Sequence, residues 1–452
     1  MIVKQLRSDF NHAIKNNKLF LFFIFVLFLL QLIRVFFVFP SVDESYYMTE
    51  PLRLVQGDVL FRDSWDVLQT HGIFLAPFYF IYTIIFGTEG IILFGRLLYF
   101  VFSLITAMLI YHTMRQDVSK RLAASVSIMI LIYAPFSLYT IGYNQLLYLF
   151  GIAGTMLFYI GLKETLINRK KSTLFCFFSG VVHAAMIASY VSSVILLPVL
   201  LLIIYLLNFA YNKKKNRRNK KPFLWYILGL AVIALLFIAY VFLIVKWDNF
   251  LLGLRQMFVY SNNTNSTDIT YILYTLVLVT FKGLFSGIKM RVFLFLLFVI
   301  TVWVAGSRIF NKLFPENNSE FKVVNSIAII FSMIWIILCI LHVIRAFSDP
   351  VRNNLMTIDL VTFIFMLLPL MLLLPVKDEY TKWKWFILLV VLSICQAVLV
   401  STTSGGLWYQ SRYALIGGSM YVLLMLGMQV QELLNDNMSS RFFNMLRKVF
   451  LS

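Results

Sequence analysis

The chain has 452 residues, of which 61% are hydrophobic and only 13% charged, with a formal net charge of +19. Soluble domains carry about twice that charged fraction, so the composition excludes an ordinary soluble enzyme and points to an integral membrane protein. Apolar stretches of bilayer-spanning length, about 20 residues, recur from residue 19 to residue 430, so residues 1–452 are read as one transmembrane domain without a separate soluble domain.

The first apolar run, residues 19–39, follows basic residues but is too long for a signal-peptide core and lacks a small-residue cleavage site, so it is a retained helix. A long outer loop, residues 40–90, comes next. Within it the stretch 73–87, "GIFLAPFYFIYTIIFG", is short, holds Pro77 and runs into "GTEG", which suits an interfacial helix better than a crossing. Residues 91–114 form the next crossing.

Basic loops at 115–121, 163–172, 211–222, 306–322 and 376–384 and both termini are assigned to the cytoplasmic side. An even number of crossings must separate successive inside loops. Pairs of apolar stretches fit most intervals, and parity makes "TYILYTLVLVTFKGLFSGIK" a re-entrant or interfacial piece with Lys282 on the outer side. The expected fold is therefore all-α and polytopic, with about 12 transmembrane helices (roughly 10–14) and interfacial helices in the first outer loop.

The basic excess sits in short loops such as "KKKNRRNKK" (213–221) and "NRKK" (168–171), where topology explains it without nucleic acid. Direct binding of anionic lipid heads is the alternative. Cys176, Cys339 and Cys395 lie far apart in apolar runs and are assigned to packing, as are His183 and His342.

The polar residues left over fall on the outer face. The first loop carries Asp43, Glu44, Glu50, Asp58, Asp63, Asp66 and Glu89 with Arg53, Arg62 and His71, whereas later outer loops supply Lys282, Arg345, Arg352, Arg412 and Tyr409. Acids on one side and cations on the other suit transfer of a sugar from a lipid phosphate. Cations neutralise the leaving phosphate, and a carboxylate removes the proton of the attacking hydroxyl. Bland readings stand beside each role: Asp43 and Glu44 as a helix cap and first-turn acid, Asp63 as a partner of Arg62 or Arg53, His71 as an interface residue, and Arg412 as a snorkelling anchor. No local metal cluster or phosphate-binding glycine loop occurs, although acids from separate loops leave a divalent cation open.

The order helix, "VDESYYMTEPLRLVQGDVLFRDSW", "HGIFLAPFYFIYTIIFG", "GRLLYFVFSLITAMLIYHTMR" resembles the amino-terminal region of GT-C superfamily glycosyltransferases, in particular the protein O-mannosyltransferase and aminoarabinose-transferase branch. The match covers Asp43, Glu44, Tyr47, Gly57, Asp58, Pro77, Gly87 and Arg96, with "YQSRY" as a weaker echo. The resemblance implies that Asp43 is the catalytic base with Glu44 supporting it, and that the donor is a polyprenyl-phosphate sugar held by basic residues of an outer cavity. The sequence departs at "THGIFLAPF", where relatives place a Lys or His before paired prolines.

The expectation is thus an inverting transferase that acts on a glycan, lipid or protein acceptor outside the membrane. Asp43, Glu44 and Asp63 are its candidate catalytic acids; Arg412, Arg352, Arg345 and Lys282 hold the donor phosphate; Tyr47, Arg62, His71 and Tyr409 line the pocket. Abundant Ile, Phe, Lys and Asn suggest an AT-rich genome, hence a bacterial plasma membrane. The competing readings are a polysaccharide polymerase or ligase using a lipid-diphosphate donor, and a flippase or transporter of lipid-linked sugars.

Overall fold

The computed structural model describes residues 18–37, 42–64, 66, 69–133, 139–165, 167–214, 219–263, 296–297, 299–307, 325–337, 364, 367–374, 376, 378–403 and 416–435. Among these the regular backbone is helical, apart from one isolated bridge between Leu60 and Ser64. Five of the described helices are long and apolar enough to cross a membrane, and Ile24–Phe37, His71–Phe86 and Asn325–Ile337 are shorter apolar helices. The segment 270–289 with Lys282, and most of 338–375, lie outside the described residues.

Helix α1 (Lys18–Phe37) leads to α2 (Val42–Val55) and α3 (His71–Phe86), then to α4 (Ile91–Met114). The short pieces α5 (Lys120–Ser127) and α6 (Met129–Ile132) return the chain to α7 (Tyr143–Glu164) and α8 (Arg169–Ser189). A 3-10 turn, Val191–Leu196, starts α9 (Leu197–Lys214). Helix α10 (Lys221–Tyr240) ends in a π turn, Val241–Val245, ahead of α11 (Trp247–Asn263). The C-terminal helices are Glu379–Trp385, continuing through a π turn into Leu392–Thr403, and Ile416–Asn435. Local sequence explains several starts: the Ser119 side chain accepts from Leu122 N and caps α5, Asn168 accepts from Lys171 N and caps α8, and Pro222 fits the first turn of α10.

Lipid offers little hydrophobic drive between helices, so close backbone packing and interhelical hydrogen bonds hold them, each bond worth about 0.6 kcal/mol. The α7–α8 hairpin uses both. Ser172 Oγ donates to Gly161 O (2.8 Å), and Ser179 Oγ donates to Gly154 O (2.7 Å). His183, fully buried, donates from Nε2 to Gly151 O (3.1 Å) and accepts at Nδ1 from the Tyr226 hydroxyl (3.0 Å), tying α7, α8 and α10 together. Cys176 is free and packs against Gly161, as its apolar surroundings suggest. Helices α8 and α10 cross backbone to backbone: a Cβ on Gly180 would strike Tyr226 O, and one on Gly229 would strike Phe177 O.

The two ends of the bundle differ in charge. At one end Asp117 accepts from Lys163 (3.2 Å) and Lys384 (2.6 Å), and Gln431 bonds Ser119, so basic loops distant in sequence meet. At the other, Ile141 N donates to Gly95 O (3.2 Å), and Leu60 N donates to the Tyr240 hydroxyl (3.1 Å). The acid-bearing first loop therefore sits opposite the basic loops.

Helices α4 and α7 run side by side in the same direction, with Gly95 beside Ile141, the Tyr99 and Tyr148 hydroxyls 2.6 Å apart, and the Phe102 and Phe150 rings 5.9 Å apart. Helix α3 starts with His71 against Tyr143, the first residue of α7 (5.7 Å), and ends through Gly87 and Gly90 at Ile91, the first residue of α4. Both its ends thus lie at the same end of the bundle, in keeping with an interfacial helix. Both turn glycines have φ of 68°, a left-handed conformation that a Cβ disfavours, and they reverse the chain there. Ile81, Ile84, Ile85 and Phe86 stay exposed on α3, a face suited to lipid.

Candidate active site

Helix α2 carries the acidic pair. Asp43 stands in its first turn, and its side chain lies outside the described residues. Glu44 is 1% exposed and is clamped by Arg96 of α4, which is 5% exposed: Nη2 reaches Oε2 at 2.6 Å and Nε reaches Oε1 at 3.2 Å. Arg96 Nη1 also donates to Val35 O near the end of α1 (3.2 Å), and Tyr139 N donates to Glu44 Oε1 (3.4 Å). A buried ion pair persists only when the remaining lone pairs and protons find partners, and here α1, α2, α4 and the segment before α7 supply them. Glu44 is thereby positioned to fix the start of α2, and with it Asp43.

Three residues further on, Tyr47 is buried and its hydroxyl accepts from Asn144 Nδ2 (3.0 Å), while its carbonyl accepts from His71 Nε2 (3.0 Å). Tyr143 packs edge-on against Tyr47 at 4.9 Å, and Tyr190 lies 5.8 Å from Tyr143. The structure thus brings Tyr47 and His71 together in an aromatic cluster at the start of α7 and the end of α8. His71 occupies it as a hydrogen-bonded residue.

The second half of α2 and the loop after it supply a second acidic group. Glu50 is 5% exposed; Oε1 accepts from Ser64 Oγ (3.1 Å) and lies 3.6 Å from Arg53 Nη1, whereas Oε2 is buried without a hydrogen-bond partner among the described residues. Burial pushes its carboxyl above the usual value, against the Ser64 bond and the Arg53 charge. Asp66 accepts from the Tyr46 hydroxyl. Asp63 lies further out, paired with Arg62 at 2.7 Å and accepting from Val59 N (2.8 Å); the Arg62 bond and then the backbone bond hold its carboxyl at about 2. Asp63 and Arg62 are partly exposed and neutralise each other. Arg53 Nε bonds Asp58 at 2.7 Å and its Nη2 bonds Asp63 O.

A platform holds this loop in place. Phe61 N donates to Gln69 Oε1 (2.9 Å), and the Phe61 ring packs edge-on against Phe237 of α10 (6.1 Å) and Phe250 of α11 (5.0 Å). Leu60 and Phe61 therefore rest on the end of α10 and the start of α11.

Of the cations expected to bind phosphate, Lys282, Arg345, Arg352 and Arg412 lie outside the described residues, as does Tyr409. A different arginine stands near the site. Arg34, in the last turn of α1, lies over the Tyr139 ring at 4.4 Å and has no carboxylate within salt-bridge distance among the described residues. Tyr139 is 4% exposed, and its hydroxyl is buried without a hydrogen-bond partner among the described residues. The sequence signal for Arg34 is a lone cation at the end of an apolar helix, one residue before the carbonyl that Arg96 holds.

Among the described residues, no group of three or more His, Cys, Asp and Glu side chains stands close enough to hold a metal ion. Comparison with known proteins adds no identity. No protein-family model matches the chain, and no curated protein matches it.

Proposed function

We propose that the protein is a membrane glycosyltransferase of the GT-C type, moving a sugar from a polyprenyl-phosphate donor to a hydroxyl of a cell-envelope glycan, lipid or protein acceptor on the outer face of a bacterial plasma membrane. One observation carries this reading furthest: Asp43 opens a helix whose next residue, Glu44, is bolted to Arg96 at the end of the bundle opposite the basic loops. That bolt gives a carboxylate at a membrane boundary a fixed place, and intramembrane acids are otherwise costly to retain. The resemblance of residues 19–115 to the GT-C amino-terminal region, with the same Asp-Glu pair and Arg, supports it independently.

In the proposed reaction the Asp43 carboxylate takes the proton of the acceptor hydroxyl as that oxygen attacks the anomeric carbon. The carbon–oxygen bond to phosphate breaks on the opposite face, inverting the centre, and the phosphate leaves with the bonding pair as polyprenyl phosphate. Arg34, which has no acidic partner among the described residues, would oppose the charge that develops there. Tyr47, His71 and Asn144 wall the acceptor side.

The test is turnover of radiolabelled polyprenyl-phosphate sugars by purified wild type and Asp43→Asn, with melting temperatures for both. Activity that vanishes in a well-folded Asp43→Asn variant is the expected result. Equal transfer by both removes Asp43 as the base. No transfer by either, across a panel of donors, favours a polymerase of lipid-diphosphate oligosaccharides or a transporter.

A further inference from the structure

At the basic end, opposite the acidic loop, a cleft of about 330 Å³ opens between the starts of α8 and α10. Its polar lining is Thr165, Arg169, Ser172, Thr173, Asn219 and Lys221, with no acid among them.

Which of these groups still has a proton to offer decides what the cleft can hold. Thr165 Oγ1 donates to Leu162 O (2.6 Å), Ser172 Oγ to Gly161 O (2.8 Å) and Thr173 Oγ1 to Lys170 O (2.8 Å), so the three hydroxyl protons are spent. Asn219 is held from both sides: its carbonyl accepts from Asn208 Nδ2 (3.2 Å) and Asn212 Nδ2 (2.9 Å), and its Oδ1 accepts from Lys221 N (3.1 Å). The free donors are therefore the Arg169 guanidinium, the Lys221 ammonium and the Asn219 side-chain NH2. Among the described residues, neither cation has an acid within salt-bridge distance. Two unopposed cations and an amide donor on a fixed wall recognise a tetrahedral anion.

The surface next to the cleft narrows the source of that anion. One turn and two turns into each helix, Leu174 and Phe178 of α8 and Leu224 and Leu228 of α10 are 53%, 46%, 61% and 45% exposed. A ligand whose phosphate occupies the cleft and whose acyl chains cover those side chains satisfies both surfaces.

We propose that this cleft is a phosphate site, occupied by the headgroup of an acidic phospholipid from the leaflet at the basic end. The assignment does not depend on the transferase reading. It locates lipid binding at two particular cations of the basic loops, beyond their general role in setting topology.

The test uses the full chain purified in neutral detergent, with melting temperature followed as phosphatidylglycerol, phosphatidylcholine or inorganic phosphate is added. Wild type should be stabilised by phosphatidylglycerol and not by phosphatidylcholine. In Arg169→Gln/Lys221→Gln the half-saturating phosphatidylglycerol concentration should rise on the order of tenfold, and Arg169→Lys/Lys221→Arg should restore it. A response to inorganic phosphate that the glutamine variant loses, without one to phosphatidylglycerol, supports the phosphate chemistry and overturns the lipid source. An equal phosphatidylglycerol response in wild type and the glutamine variant overturns the site.

Discussion

Arg96 and Glu44, separated by 52 positions, close on each other through two hydrogen bonds of 2.6 and 3.2 Å in a place that is almost wholly buried. Removing one partner leaves an uncompensated buried charge. Arg96→Met and Glu44→Gln should each destabilise the protein by about 3 kcal/mol. The double variant should lose clearly less than the sum, and thermal unfolding of the purified variants measures both.

The raised pKa of Glu50 makes a pH prediction. Because burial favours the protonated form in the folded state, the folded protein binds more protons than the unfolded chain between the ordinary carboxyl value of 4.5 and the raised one. This group's contribution to stability therefore falls as pH rises through that window. Glu50→Gln should remove that part of the decline, and melting temperatures from about pH 4 to about pH 8, a range that starts just below the reference carboxyl pKa, would show it; parallel curves for the two proteins would contradict the assignment.

Asp63 gives the opposite sign. Its folded pKa of about 2 lies below the usual 3.8, so the Arg62–Asp63 pair contributes above 3.8 and is lost as pH falls towards 2. The pair is exposed, so Asp63→Asn at neutral pH should shift stability little. A large loss of sugar transfer in a well-folded Asp63→Asn variant would instead give this acid a direct role.

The α8–α10 crossing permits no side chain at its centre. Gly180→Ala or Gly229→Ala must push two backbones apart, since the atoms struck are carbonyl oxygens that cannot rotate aside. A loss of about 1–3 kcal/mol is expected from overpacking. Alanine at exposed Gly306, where a Cβ meets nothing, serves as the neutral control in the same unfolding assay.

Asp117 should matter more than either of its lysines. Asp117→Asn removes the carboxylate that bonds the Lys384 ammonium, 4% exposed, and leaves it beside Lys163, whereas Lys163→Met leaves Asp117 paired with Lys384 at 2.6 Å. The asparagine variant should melt several degrees lower than the methionine one. The order of the two melting temperatures is the readout.

The general plan of the molecule was legible because its signals are local. The placing of "KRLAAS" and "NRKK" at the end away from "VDESYY" follows from loop charge alone, and the short, Pro-containing stretch before "GTEG" is a separate helix of 16 residues, α3, as its length and turn residues suggest. The site was less legible because its parts are joined by contacts that no spacing announces. Glu50 was one acid among several until Ser64 and the close approach of Gly72 to its backbone buried it. Nothing in the sequence singles out Arg34 beyond its place at the end of an apolar helix; the bare Tyr139 hydroxyl beneath it is what sets it apart. Asp117 and Lys384, separated by 267 positions, gave no sign of each other.

The glycine crossing of α8 and α10 also bears on how the chain is made. Helix α8 can pair with α7 as soon as their short connector is complete, but its other face finds Gly229 only after α9 and the basic loop have followed. During synthesis α8 therefore waits with one side finished and a strip of bare backbone turned to lipid. Variants that slow the arrival of α10 should expose that strip to premature partners and lower the yield of inserted protein, even where the finished fold is no less stable.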